Sequence, residues 1–123
     1  MDGSKSGLLR PFLLRLYLSP ELPLGPGKAD VLEAIAGSGS ISAAGRTLGM
    51  SYRRTWQLVT AMNIHFREPL VITAAGGSSG GGARLSELGE EVLARYRKMH
   101  TACEAAIADD LAYLRTQLAK SDH

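Results

Sequence analysis

The last quarter of the chain constrains the fold most. From Glu90 to about Leu118 it holds neither proline nor glycine, and apolar residues recur at Leu88, Val92, Tyr96, Met99, Cys103, Ile107, Leu111, Leu114 and Leu118. Steps of three and four place them on one face of a single α-helix. Ser86 stands where an N-cap belongs, and Glu87 and Glu90 sit where the helix dipole favours acids. So long a helix cannot bury its whole stripe against a small body. A two-fold partner is expected to cover the rest, with Tyr96, Met99, Cys103, Ile107, Leu111 and Leu114 in the dimer interface.

The body that precedes it is small. The whole chain has 123 residues, 45% hydrophobic and 21% charged, the make-up of one ordinary globular unit. It contains no apolar run of about 18 residues, so no spanning helix is expected. The apolar stretch Leu8 to Leu14 is broken by Arg10 and Pro11 and has no small-residue cleavage site after it, which argues against a signal peptide. A single cysteine, Cys103, suits a reducing cytoplasm. Charge is uneven. Residues 1–85 carry nine Lys and Arg against five acids, and residues 86–123 carry five against seven. A basic body on a mildly acidic helix suits a module that lays one surface on a polyanion and another on itself.

Periodicity divides the body further. Leu14 to Leu18 alternates like a short strand, and Ser19 to Gly27, with three prolines and two glycines, reads as a loop. Val31, Leu32, Ile35 and Ala36 predict a first helix over about Lys28 to Ala36, stopped by Gly37. Ser40 caps a second helix, Ile41 to Leu48, ended by Gly49. Ser51 caps a third, Tyr52 to Phe66, broken before Pro69. Leu70 to Ala74 and Ala83 to Leu85 read as two strands around a turn at Gly76 to Gly82. The expected fold is mainly α with one small β-hairpin: a winged helix-turn-helix with a long C-terminal dimerisation helix. Its segments are an N-terminal tail at 1–27, a DNA-binding domain at 28–85 and the dimerisation helix at 86–123.

Residues 40–66 carry the functional expectation. Ala43, Ala44 and Gly45 are small where a second helix would cross, and Gly49 tolerates the turn. Trp56, Val59, Met62 and Phe66 make one apolar stripe, which places Trp56 in the core. The opposite face presents Ser51, Tyr52, Arg53, Arg54 and Gln57 to a major groove. Arginine reads guanine through O6 and N7, glutamine reads adenine, and hydroxyls and helix N–H groups suit phosphates. Ser42 and Arg46 on the preceding helix, and Ser78, Ser79 and Arg84 on the hairpin (residues 71–85), complete the expected DNA-binding set.

Other chemistries have little support. The Gly76–Gly82 loop lacks the lysine of a phosphate-binding P-loop, and strands rather than a strand and a helix flank it. His65, His100 and His123 read as isolated, so neither a metal nor a cofactor is expected. Cys103 has apolar helical neighbours and reads as an inert thiol. No enzyme is expected. The alternative is a non-enzymatic interaction module that uses the long helix and binds no DNA.

The stretch from Gly37 to Asn63, above all Ser51, Tyr52, Trp56 and Asn63, followed by the glycine-rich Ala74–Gly82, resembles the N-terminal DNA-binding domain of the molybdate-responsive ModE family. The resemblance covers about residues 28–100, and the S-I-S-A-A opening is more distantly similar to LysR-type regulators. It implies a homodimeric regulator whose paired recognition helices read a palindromic operator in double-stranded DNA. No residue matches an oxyanion pocket, so molybdate binding is not expected of this chain, which reads as a stand-alone form without the Mop-type molybdate-binding domains.

Overall fold

The computed structural model describes residues 12–74 and 82–120. The elements run β1 (Leu16–Ser19), β2 (Leu22–Leu24), α1 (Pro26–Ser38), α2 (Ile41–Leu48), α3 (Tyr52–His65), β3 (Val71–Thr73), β4 (Ala83–Leu85) and α4 (Glu87–Thr116). None of these helices is long and apolar enough to cross a membrane.

The expected fold class is corrected here. Instead of a winged helix-turn-helix body with one small hairpin, the described residues form four helices and two separate two-stranded antiparallel hairpins. The additional hairpin, β1–β2, comes from the segments read as a short strand and a loop. Leu16 pairs with Leu24 and Tyr17 with Pro23, with an irregularity before Ser19. A proline is tolerated at a sheet edge because it need not donate to a ladder there. Leu24 is buried with Ala29 and Tyr96, and Leu14 and Leu16 pack against them.

α1 begins earlier and ends later than its periodicity suggested. Pro26 occupies its first turn, where a missing N–H costs nothing. The helix passes through Gly37 and stops at Gly39, whose φ of 74° is the left-handed conformation a C-cap requires. α2 and α3 follow their caps. Ser40 Oγ accepts from Ala43 N–H, Ser51 Oγ accepts from Arg54 N–H, and Gly49 closes α2 at φ 69°. Phe66 lies just outside α3 as its extended C-cap.

The main core joins Val31, Leu32 and Ile35 of α1 to Ile41 and Ala44 of α2, Leu58, Val59 and Met62 of α3, and Leu70, Val71, Ala83 and Leu85. Val71 faces Leu85 across the second hairpin with both side chains inward, while Ile72 and Arg84 point outward. Two contacts lock that hairpin in place. Ala83 N–H donates to Gly39 O at 2.8 Å, and Ser86 N–H donates to Leu70 O at 2.9 Å. α4 then passes so close that a Cβ on Gly89 would lie 2.2 Å from Leu70 O, so only glycine fits.

α4 is anchored only along its first half. Tyr96 is 1% exposed and donates its hydroxyl to Leu14 O at 2.6 Å. This corrects its expected place in a dimer interface, because the N-terminal hairpin already covers it. Arg97 reaches Glu33 and Asp30 of α1 at 3.0 and 3.1 Å, and His100 meets Phe12 O at 3.2 Å. Beyond His100 no described residue is buried. Met99 is exposed, Cys103, Ile107 and Leu111 are half-covered, and Leu114 and Leu118 are 59% and 73% exposed.

Candidate nucleic-acid interface

α2 and α3 cross at closest range where Gly45 meets Thr55. A Cβ on Gly45 would come within 2.6 Å of Thr55 Oγ1. The turn between them is pinned by Met50 N–H donating to Gly45 O at 2.8 Å. Thr55 is fully buried, and its hydroxyl donates to Ser51 O at 2.8 Å. α3 is thereby fixed in angle relative to the body. Asn63 fixes its far end: Oδ1 accepts from Leu70 and Val71 N–H, and Nδ2 donates to Val71 O. One side chain thus satisfies three backbone groups of the strand that follows.

The outward face of α3 is a shallow groove bordered by Tyr52, Arg53, Trp56, Gln57, Thr60, Ala61, Ile64 and His65. Tyr52 is 60% exposed and stands edge-on to Trp56, with ring centroids 6.2 Å apart. The expectation of a core Trp56 is corrected in part. It is half-buried, packs against the core and also shapes this surface, while Thr55 and Leu58 supply the inward positions. A cleft of about 170 Å³ opens between the start of α2, the start of α3 and the second hairpin, lined by Ser40, Ser42, Tyr52, Trp56 and Thr73 among others.

The expected residues separate into groups. Ser51, Tyr52, Arg53 and Gln57 lie together on the exposed start of α3. Ser42 and Arg46 are neighbours on α2, with Arg46 Nη1 donating to Ser42 Oγ at 3.1 Å. Arg84 projects from the outer side of the hairpin beside Ile72. Ser78 and Ser79 lie outside the described residues. Arg54 parts from Arg53, since successive helical residues point about 100° apart. It lines a different cleft with Arg15 and Lys28. Burial, and then the charges of Arg15 and Arg54, hold the Lys28 ammonium pKa below its ordinary value.

Several surface residues escaped the sequence reading. Thr60 and Ile64 share the outer face, and their spacing from Arg53 (seven and eleven residues) and from Gln57 (three and seven) was the signal for them. Lys28 and Arg15 had none, because only the fold brings them to Arg54. The sequence also shows why this surface is electropositive: residues 34–67 contain no Asp or Glu, but include Arg46, Arg53, Arg54 and Arg67.

No family model matches the chain. Among curated proteins it is similar to the molybdenum transport protein ModE of Azotobacter vinelandii, 35% identical over 78% of this chain and 36% of that protein. It is 41% identical to the molybdenum-pterin-binding protein MopB of Rhodobacter capsulatus, over 77% of this chain and 34% of the relative. It is 38% identical to the DNA-binding transcriptional dual regulator ModE of Escherichia coli K12, over 68% and 32%. The chain spans about a third of the length of these relatives.

These matches correct the resemblance drawn from the sequence. It confined the kinship to the N-terminal DNA-binding domain of ModE, standing alone, with LysR-type regulators further off. A protein named for molybdenum-pterin binding matches as well as the regulators do, so the similarity extends to ModE and Mop proteins alike. It does not assign the chain to one domain of either.

Proposed function

We propose that this chain is a molybdenum-related, DNA-binding transcriptional regulator, working in the cytoplasm as a homodimer and not as an enzyme. α3 enters the major groove, and Tyr52, Arg53 and Gln57 meet base edges and backbone. Ser42 and Arg46 of α2, and Arg84 of the second hairpin, contact the flanking phosphates. The observation that carries the reading is the outward face of α3. It is exposed, rigidly held by Thr55 and Asn63, and set in a stretch of 34–67 that has no acid. Regulators among the relatives, one of them named as DNA-binding, support it.

The homodimer rests on the second half of α4, where Cys103, Ile107, Leu111 and Leu114 form a seam that the described residues leave at most half-covered. Two linked copies reading two half-sites multiply discrimination beyond what one small module supplies.

Selection of bound duplexes from a random library, followed by anisotropy titration, tests the reading. Arg53→Ala is expected to cost about 1–3 kcal/mol on the selected operator and to relax preference at one base pair, with the melting temperature unchanged. Operator binding equal to that of the unmodified chain rejects the assignment of α3. The match to MopB favours a second reading, binding of a molybdenum-pterin ligand. Saturable heat on titrating a molybdenum-pterin into the chain, with no duplex selected, would replace the first reading by the second.

A further inference from the structure

Two sets of basic residues contrast among the described ones. Arg67, Arg95 and Arg97 are each paired with a carboxylate, to Glu68, Glu91, and Asp30 with Glu33. Arg15, Lys28 and Arg54 are not: among the described residues none of the three forms an ion pair. They come from the approach to β1, from α1 and from α3, and they meet in a cleft of about 140 Å³. Pro23, Gly25, Pro26, Gly27, Met50 and Leu58 complete its lining, so the cleft contains no acid. Gathering three cations in one partly dehydrated place opposes folding unless something neutralises them. Arg15 spends part of its charge on the Tyr17 ring, 5.7 Å away, but that contact leaves its N–H groups free to donate.

We infer that Arg15, Lys28 and Arg54 form a clamp for one tetrahedral oxyanion, and that this anion is a backbone phosphate of bound duplex. The inference rests on the reading of α3 as the DNA-facing helix. Arg54 follows Arg53 directly, so a duplex whose base edges meet Arg53 and Gln57 brings its sugar–phosphate backbone along the adjacent flank of α3. A guanidinium fork and an ammonium are the donors that phosphate oxygens take, and this cleft holds two of the first and one of the second. The cleft has room for a phosphate group. Contact with the backbone carries no sequence information, so this clamp fixes register while Arg53 and Gln57 read sequence.

The test compares the unmodified chain with Lys28→Gln, Lys28→Arg and Arg53→Ala, each titrated with the selected operator and with an unrelated duplex at several salt concentrations. Lys28→Gln is expected to weaken both duplexes by the same factor, about 3- to 10-fold, and to lower the salt slope by about one. Lys28→Arg should restore most of the loss, whereas Arg53→Ala should change the ratio between the duplexes. If Lys28→Gln keeps full affinity and slope while Arg53→Ala still loses the operator, the clamp is overturned and the α3 reading stands. If the unmodified chain binds no duplex, both fall. Inorganic phosphate provides the remaining arm, followed through the amide resonances of Gly27 and Lys28. Saturable shifts there, abolished by Lys28→Gln in a chain whose DNA binding that change leaves intact, overturn the DNA source in favour of a free oxyanion.

Discussion

The two halves of α4 share a helix, an apolar period and a similar residue content, yet they do different work. From Glu87 to His100 the stripe is spent inside the chain. Gly89 lies against Leu70, Tyr96 is sealed beneath the N-terminal hairpin, and Arg97 ties the helix to α1. From Thr101 onward no described residue of the same stripe is buried. Periodicity states which face of a helix is apolar, and the surrounding chain determines whether that face is already occupied. A seam read from spacing alone therefore overestimates an interface by whatever length the body covers.

Truncation breaks this comparison most directly. Tyr96→Ala removes a buried ring and its hydrogen bond to Leu14, and should cost about 3–5 kcal/mol in urea unfolding, enough to unfold a marginal domain. A loss under about 1 kcal/mol would mean that the first half of α4 is not anchored as described. The paired change Ile107→Asp with Leu111→Asp acts only on the uncovered half. It should leave the helical circular-dichroism signal of the body intact while converting a dimeric mass in light scattering to a monomeric one at micromolar concentration. A monomeric mass for the unmodified chain would remove the reason for the seam. Arg97→Ala comes last. Its ion pairs are well formed but partly exposed, so their loss should cost only about 0.5–1 kcal/mol and shrink further in high salt.

Local signals were legible wherever one residue type does one local job. Ser40, Ser51 and Ser86 each cap the helix assigned to them, because a hydroxyl before an apolar run needs only a backbone N–H three residues on. Gly49 ends α2 as expected, whereas Gly37 does not end α1. Glycine is necessary for a left-handed cap but does not select which of two nearby glycines takes it. The candidate site was half legible. The exposed start of α3 followed from its capping serine and its apolar stripe, but Arg54 did not belong with Arg53, and Lys28 and Arg15 carried no sequence sign of their role.

By itself the sequence determined the existence and order of the four helices, the serine caps that start three of them and the stretch 34–67 without an acid. These are properties of neighbours within about four residues, or of composition. Only the tertiary structure decided that residues 16–24 form a hairpin, that Tyr96 belongs to the body and that three cations share one cleft. Each of those depends on residues between 8 and 82 positions apart. Their meeting is set by how whole elements pack, and no local pattern of charge or hydropathy encodes it.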